Sequence, residues 1–224
     1  MAANLTELQQ RIEAIAGQSL TTTEGDDDWN LRRSYLNRAQ LDWAERFEWP
    51  QLYKEVNSLT STGSALASIA LPTDFRKLAG YPKFAVPNVT NSEYPEVDPT
   101  ERDRFLSSDK YVYKLGDPNS GYNLIVNPAS FASGTSIFIN YYATPASLVS
   151  GSNVSMCPNP NYLVQQALYY YFQANEDARF QDSRAEAEKI LATMLEFENV
   201  RGVGYHNQIP NVDFTKHNHR WGRD

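Results

Sequence analysis

The fold is decided by Asn159–Val200, NPNYLVQQALYYYFQANEDARFQDSRAEAEKILATMLEFENV, which contains neither glycine nor proline after Pro160. At about 1.5 Å rise per residue, this run could form a helix of roughly 60 Å, longer than a small domain is wide. Apolar residues recur at helical spacing near both ends, but the shared face carries polar residues between them. We therefore predict that the run begins with Asn161 as its N-cap and bends or breaks near Asp177–Asp182, with one straight helix that has a solvated middle as the alternative.

A short amphipathic helix is predicted at residues 4–16. Its apolar face consists of Leu5, Leu8, Ile12 and Ile15. Asn4 with Glu7 matches a capping box at the start, and Gly17 is placed to end the helix.

A second helix is predicted from Trp29 to about Trp49, stopping at Pro50. Asp26–Asp28 place negative charge at its start, where it interacts favourably with the positive end of the helix dipole. The spaced large side chains, Trp29, Leu36, Trp43 and Phe47, are typical of a core-facing seam.

After Pro50 the pattern changes to short β-type runs separated by turn residues. The sequence Asp117–Gly121, DPNSG, predicts a hairpin turn between two of these strands. Asp98 and Pro99 predict a short helix that extends to about Leu106. Residues 148–156 are interpreted as a linker that leads back to the helices.

We therefore predict an α+β fold in which a mainly helical body is interrupted by a β-rich module. Residues 1–50 and 151–200 form the body, residues 51–150 the inserted module and residues 201–224 an extended C-terminal tail. The predicted structural core is Trp29, Leu36, Trp43, Phe47, Leu168, Phe172, Ile190 and Met194.

The tail differs in charge from the rest of the chain. Residues 201–224 carry four basic and two acidic residues, whereas residues 1–200 carry 16 basic and 25 acidic residues. Gly202 and Gly204 are expected to end the preceding helix, and the large aromatic residues that follow are uncommon in disordered tails. We predict that the tail docks on a partner protein, with a floppy tail as the alternative. The predicted docking residues are Tyr205, His206, Ile209, Phe214, Lys216, Arg220, Trp221 and Arg223.

No catalytic signature is present: the sequence lacks a phosphate-binding glycine loop, a nucleophile elbow and a CxxC pair. All three histidines lie in the tail, and Cys157 has no charged neighbour that would activate it. The acidic pair Glu96 and Asp98 is interpreted as part of a solvated face. We predict no enzyme activity, no metal and no cofactor, and the acidic balance argues against general nucleic-acid binding. No signal peptide or membrane-spanning stretch is predicted.

Several segments together resemble a known family. They are WPQL (Trp49–Leu52), LPTDFRKL (Leu71–Leu78), YPEVDPTERDRF (Tyr94–Phe105), and the closing CPNPNYLVQQALYYYFQANEDARF with AEAEKILATML. Their order and spacing over residues 27–200 resemble the head-to-tail adaptor proteins of tailed bacteriophages, the neck proteins beneath the portal.

This resemblance implies a ring, usually of twelve copies, in the neck of a virion whose proteins are made in the host cytoplasm. One end of the ring would bind the portal protein, and the other end the tail or the next neck protein. Double-stranded DNA would pass through without specific binding, and no membrane would be involved. Two other hypotheses remain open: a cell-wall glycan-degrading enzyme and a glycan-binding tail protein.

Overall fold

The computed structural model describes residues 3–17, 23–60, 68–80, 83–85, 92–106, 108–117, 120–127 and 136–206. Within these ranges the helices are α1 (Leu5–Ala16), α2 (Asp27–Arg46), α3 (Pro160–Ala174) and α4 (Phe180–His206). The strands between α2 and α3 are β1 (Tyr53–Thr60), β2 (Ser68–Ala70), β3 (Phe75–Leu78), β4 (Lys83–Ala85), β5 (Ser92–Glu93), β6 (Tyr111–Asp117), β7 (Gly121–Asn127) and β8 (Ser136–Ala143). Helices and antiparallel sheets together confirm the α+β class.

Helix α1 begins at the predicted capping box. The Asn4 side chain accepts a hydrogen bond from the Glu7 N–H at 2.8 Å, and the Glu7 carboxylate accepts one from the Asn4 N–H at 3.2 Å. Gly17 ends the helix with φ 71°, in the left-handed region that glycine tolerates. The predicted apolar face is wrong at its end, because Ile15 is 47% exposed and Ala16 is buried instead.

Residues 148–156, predicted as a linker, pack against the start of α1. The N–H groups of Leu5 and Thr6 donate to the carbonyls of Asn153 and Gly151 at 2.9 and 3.2 Å. First-turn N–H groups have no partner inside their own helix, so this segment supplies what α1 lacks. Gly151 cannot carry a side chain without a shift, because its Cβ would lie 2.4 Å from the Thr6 hydroxyl.

Helix α2 ends at Arg46, before the predicted end at Trp49. Phe47 is extended, with φ −158°, and the chain turns back there. The Trp49 indole N–H donates to the Trp43 carbonyl at 2.6 Å, and the two rings stack with centroids 5.2 Å apart. Both rings are fully buried, so Trp49 closes the end of the helix instead of extending it.

The long run is broken, as predicted, and residues 175–179 separate α3 from α4. Glu176 takes φ 55°, a left-handed conformation that is rare outside glycine, and the chain reverses there. The predicted N-cap is wrong: the cap is Asn159, whose side chain accepts a hydrogen bond from the Asn161 N–H at 3.1 Å. Pro160 suits the first helical position because it has no N–H to leave unpaired.

Helix α4 continues to His206, so the prediction of an extended tail from residue 201 is wrong for its first six residues. Gly202 and Gly204 lie inside the helix. A glycine costs about 1 kcal/mol relative to alanine in a helix interior, which disfavours the helix without ending it. Residues 207–224 lie outside the described residues.

Helix α3 is the centre of the helical part, since α1, α2 and α4 all pack against it. Side chains on all of its faces are buried: Pro160, Tyr162, Leu163, Val164, Gln166, Ala167, Leu168, Tyr170 and Phe172. All of these except Pro160 and Gln166 form one hydrophobic cluster with Leu8 of α1, Trp43 of α2 and Leu191 of α4. The helices before and after the strands therefore share one core.

Strand β8 is the centre of the larger sheet, where it pairs antiparallel with β1, β3 and β4. A smaller sheet has the order β2–β7–β6. The predicted hairpin is confirmed, with Asp117 of β6 opposite Gly121 of β7. The predicted helix up to Leu106 is wrong: the segment holds a single 3₁₀ turn, Arg102–Arg104. None of its side chains is buried, so no packing stabilises a longer helix.

A polar cluster ties three parts of the larger sheet together. The Asp74 carboxylate, just before β3, accepts hydrogen bonds from Lys54 of β1 and from the Tyr141 hydroxyl of β8, the latter at 2.9 Å. Burial alone would raise the pKa of Asp74, but these two donors hold it below its usual value. Burial and the Asp74 carboxylate raise the pKa of Tyr141 to about 12, so its hydroxyl keeps its proton at neutral pH.

We predict that Trp43→Ala lowers the free energy of unfolding by roughly 3–5 kcal/mol, because it leaves a large cavity in the shared core. Chemical denaturation measures the change. Trp43→Phe is the matched control: it keeps an aromatic ring and removes an indole N–H that has no hydrogen-bond partner among the described residues. The control should lose less than about 1.5 kcal/mol. A loss below about 1 kcal/mol for Trp43→Ala would contradict the packing of α2 on α3.

We predict that Asp74→Asn costs roughly 1–2 kcal/mol at pH 7, because charge-assisted hydrogen bonds are lost. A carboxyl whose pKa is lower in the folded state than in the unfolded state stabilises the fold at pH values above its unfolded-state pKa, about 3.9. The difference between wild type and Asp74→Asn should therefore shrink as the pH falls below about 4. Asp103→Asn, at a side chain that is 90% exposed, is the control and should change little. A pH-independent difference would show that the Asp74 charge is not responsible.

Candidate interaction surfaces

The described residues offer no arrangement suited to catalysis by histidine or a metal. His206 lies at the end of α4, and His217 and His219 lie outside the described part. No group of three His, Cys, Asp or Glu residues within the described ranges could hold a metal ion. Cys157 is buried, and burial raises the pKa of its thiol to about 12, so it is not an ionised nucleophile at neutral pH.

The acidic pair Glu96 and Asp98 lies at the rim of a cavity of about 590 Å³, which is formed by residues 96–99, β6 and Tyr122 of β7. A general acid for glycoside hydrolysis needs a raised pKa. Hydrogen bonds from Thr100 instead hold the pKa of Asp98 below its usual value. Glu96 forms a salt bridge with Lys114 at 3.6 Å. The geometry gives neither carboxylate the environment of a general acid.

The most prominent surface is the far end of α4. Helices α3 and α4 are joined by five residues and pack side by side, so the start of α3 lies near Met194. Pro158 and Asn159 accordingly line a cavity of about 310 Å³ with Met194 and Phe197. Residues 195–206 continue past the start of α3 for about 18 Å; we call them the α4 overhang. Its first turn still contacts the body, since Leu195 packs on the core cluster and the buried Glu198 accepts a hydrogen bond from the Gln51 amide at 3.5 Å. Its Phe197 side chain is 68% exposed.

A second surface crosses the outside of three helices. The Arg38 guanidinium of α2 lies 4.1 Å from the centroid of the Tyr170 ring, and that of Arg184 of α4 lies 5.7 Å from the Tyr169 ring. The two tyrosine rings lie 5.1 Å apart. We call Arg38, Tyr169 and Arg184, together with the Tyr170 ring buried beneath Arg38, the Arg–Tyr strip. Both arginines are exposed, and Leu41 beside them is 44% exposed.

A third surface lies at the edge strand β6 of the smaller sheet. Phe105 packs on Tyr111 with ring centroids 5.1 Å apart, yet it is 38% exposed, and Leu106 beside it is 71% exposed. Apolar side chains exposed together in this way are often covered by a partner.

The residues predicted as core lie around α3. Trp29, Leu36, Trp43, Leu168, Phe172 and Met194 are buried. Phe47 and Ile190 are half-buried and pack against the same cluster. Of the predicted docking residues, Tyr205 and His206 lie in the last turn of α4. The others lie outside the described residues: Ile209, Phe214, Lys216, Arg220, Trp221 and Arg223.

Sequence reasoning missed the two surfaces on the helices. Helical spacing places Phe197 among the apolar residues at the end of the run and gives no sign of its exposure. The signal that could have revealed it is length: α4 has 27 residues and α3 has 15, so part of α4 has no helix beside it.

Comparison with known proteins identifies one family. A family model described as SU10 adaptor protein matches residues 3–206 of the chain. None of the curated proteins matches the sequence. Among the described helices, none has the length and apolar character needed to cross a membrane.

Proposed function

Because this chain belongs to the SU10 adaptor protein family, whose model matches residues 3–206, we propose that it is the head-to-tail adaptor of a tailed bacteriophage. The family membership supports a structural role in the virion and interaction with other phage proteins. In the proposed function, copies of the chain form a ring, usually of twelve, between the portal and the tail or next neck protein. The family match is the observation that carries this proposal.

Exposed apolar surface supports the proposed assembly. The exposed side chains Phe197, Leu41 and Leu106 lie on α4, on α2 and beside the smaller sheet. Leaving them in water brings no stability, whereas covering each one with a partner would bury apolar area at about 25 cal/mol per Å². A protein that contacts its own copies, a portal and a tail protein needs several such surfaces.

The charge of the chain suits passage of DNA without binding. Each copy carries a formal charge of −7, so a twelve-membered ring would carry roughly −84. Such a ring repels phosphate groups over about a Debye length, ~8 Å at physiological salt. In the proposed ring, weak repulsion keeps the DNA free to move.

The alternative of a cell-wall glycan hydrolase has less support. The lowered pKa of Asp98 and the salt bridge of Glu96 leave that pair without a general acid. We therefore propose a non-enzymatic function. A glycan-binding tail protein would be expected as a monomer or trimer that binds glycans.

The proposed function is tested by mixing the purified full-length protein with purified portal protein. We expect a stoichiometric ring on the portal by mass photometry and negative-stain imaging, with portal alone as the control. The same preparation should release no fragments in a peptidoglycan assay. Monomers that do not bind the portal would contradict the adaptor role. Peptidoglycan turnover that survives repurification of the protein would contradict the absence of catalysis.

The end of the chain is proposed to dock on the portal. The α4 overhang brings residue 206 well beyond the body, and the following 18 residues carry apolar anchors and basic side chains. A free segment loses conformational entropy when it binds, so several anchors are needed. Aromatic and arginine residues are the expected hot spots, here Phe214, Trp221, Arg220 and Arg223.

We predict that truncation after His206 leaves the circular dichroism spectrum and unfolding midpoint unchanged, while attachment to the portal fails. Phe214→Ala with Trp221→Ala should weaken attachment, whereas the control Asn211→Ala with Asn218→Ala should not. Higher salt should weaken attachment only in part, because apolar anchors are not screened. If the truncated protein binds the portal as well as the full chain does, docking by this segment is refuted. If the truncated protein unfolds, the segment is instead part of the protein's own core.

A further inference from the structure

We propose that the α4 overhang of one copy docks on the Arg–Tyr strip of the next copy, and that this contact joins the ring. The inference rests on the proposed ring and names the surfaces that would build it. The partner of the overhang is a second copy of this chain, and Phe197 is the apolar anchor.

The Arg–Tyr strip has the chemistry of a receiving surface. Its two guanidinium groups lie over tyrosine rings, which position them without neutralising their charge. Among the described residues, no carboxylate forms a salt bridge with Arg38 or Arg184. The carboxylate of Asp42, one turn further along α2, interacts electrostatically with Arg38 and accepts a hydrogen bond from the Gln166 amide at 3.4 Å. The strip therefore presents two guanidinium groups and the half-buried Tyr169 ring on a chain that is acidic overall.

The overhang has the complementary chemistry. Phe197, 68% exposed, follows Glu196 in the sequence, whereas Glu198 is buried and accepts a hydrogen bond from the Gln51 amide at 3.5 Å. Glu196 is exposed, and no described residue forms a salt bridge with it. An aromatic side chain beside an acidic one fits a surface made of tyrosine and arginine. Opposite charge would fix the register of the contact, and the Phe197 ring would bury apolar area.

One chain cannot make this contact with itself. Arg184 and Phe197 are thirteen residues apart on the same helix, which places them roughly 20 Å from each other. The two surfaces are thus held rigidly at opposite ends of α4. A contact between two different surfaces repeats head to tail from copy to copy, and it closes into a ring when the rotation allows.

Site-directed cysteine pairs test the contact directly. The two substitutions are Tyr169→Cys in the strip and Phe197→Cys in the overhang. A disulfide requires Cα atoms within about 7 Å, so a bond between these positions must join two copies. The only native cysteine, Cys157, is fully buried and is not expected to interfere.

The full-length protein carrying both substitutions is assembled on purified portal protein, oxidised and run on a non-reducing gel. We expect a covalent ladder that reaches the size of the ring. A mixture of the two single variants should give dimers only, and each single variant alone should give none. Rings without cross-links would refute this contact while leaving the proposed function intact. Self-linking by Phe197→Cys alone would show a two-fold contact and also refute it.

Charge exchange gives a second test that does not alter a buried ring. Arg184→Glu and Glu196→Arg should each raise the protein concentration needed for half-maximal ring formation by roughly tenfold, and the double exchange should restore it. Lys189→Glu, at a side chain that is 76% exposed on the same helix, is the matched control and should leave assembly unchanged. Absence of restoration would refute the pairing. Absence of rings in the wild-type protein would refute the proposed function itself.

Discussion

The burial of α3 on most of its sides is the constraint on which the rest of the structure depends. A helix with apolar side chains all round cannot face water, so it needs a neighbour on each side. The neighbours come from both ends of the sequence: α1 and α2 precede the strands, and α4 follows them. Because these helices must meet around α3, the two ends of the strand-rich stretch are brought back to the helical part. Residues 148–156 complete this return by capping the first turn of α1.

Features with local causes could be predicted from the sequence. The Asn4 capping box, the Asp117–Gly121 hairpin and the break between α3 and α4 each depend on a few neighbouring residues. Features that depend on distant contacts could not. The exposure of Ile15 follows from where α3 lies against α1, and Trp49 leaves α2 because its indole binds the Trp43 carbonyl and fills the core.

The functional features also divide into those that the sequence predicts and those that depend on contacts between distant residues. Composition identified an acidic chain without catalytic histidine, and motif order identified its resemblance to phage adaptors. The Arg–Tyr strip needed the structure, because Arg38, Tyr169 and Arg184 are far apart in sequence and meet only where three helices pack. The spacing of residues within one helix cannot predict a surface that three helices form together.

The break at residues 175–179 links stability to assembly. It sets α4 against α3, so that Ala187 and Leu191 complete the core while the remaining turns pass the start of α3. Had the run stayed straight, α3 would lack one neighbour and α4 would have no body to pack on. Since the same rigid helix carries Arg184 at one end and Phe197 towards the other, the core that holds α4 also fixes the direction of both surfaces. In the proposed ring, the geometry between copies would therefore be set by the packing within each copy.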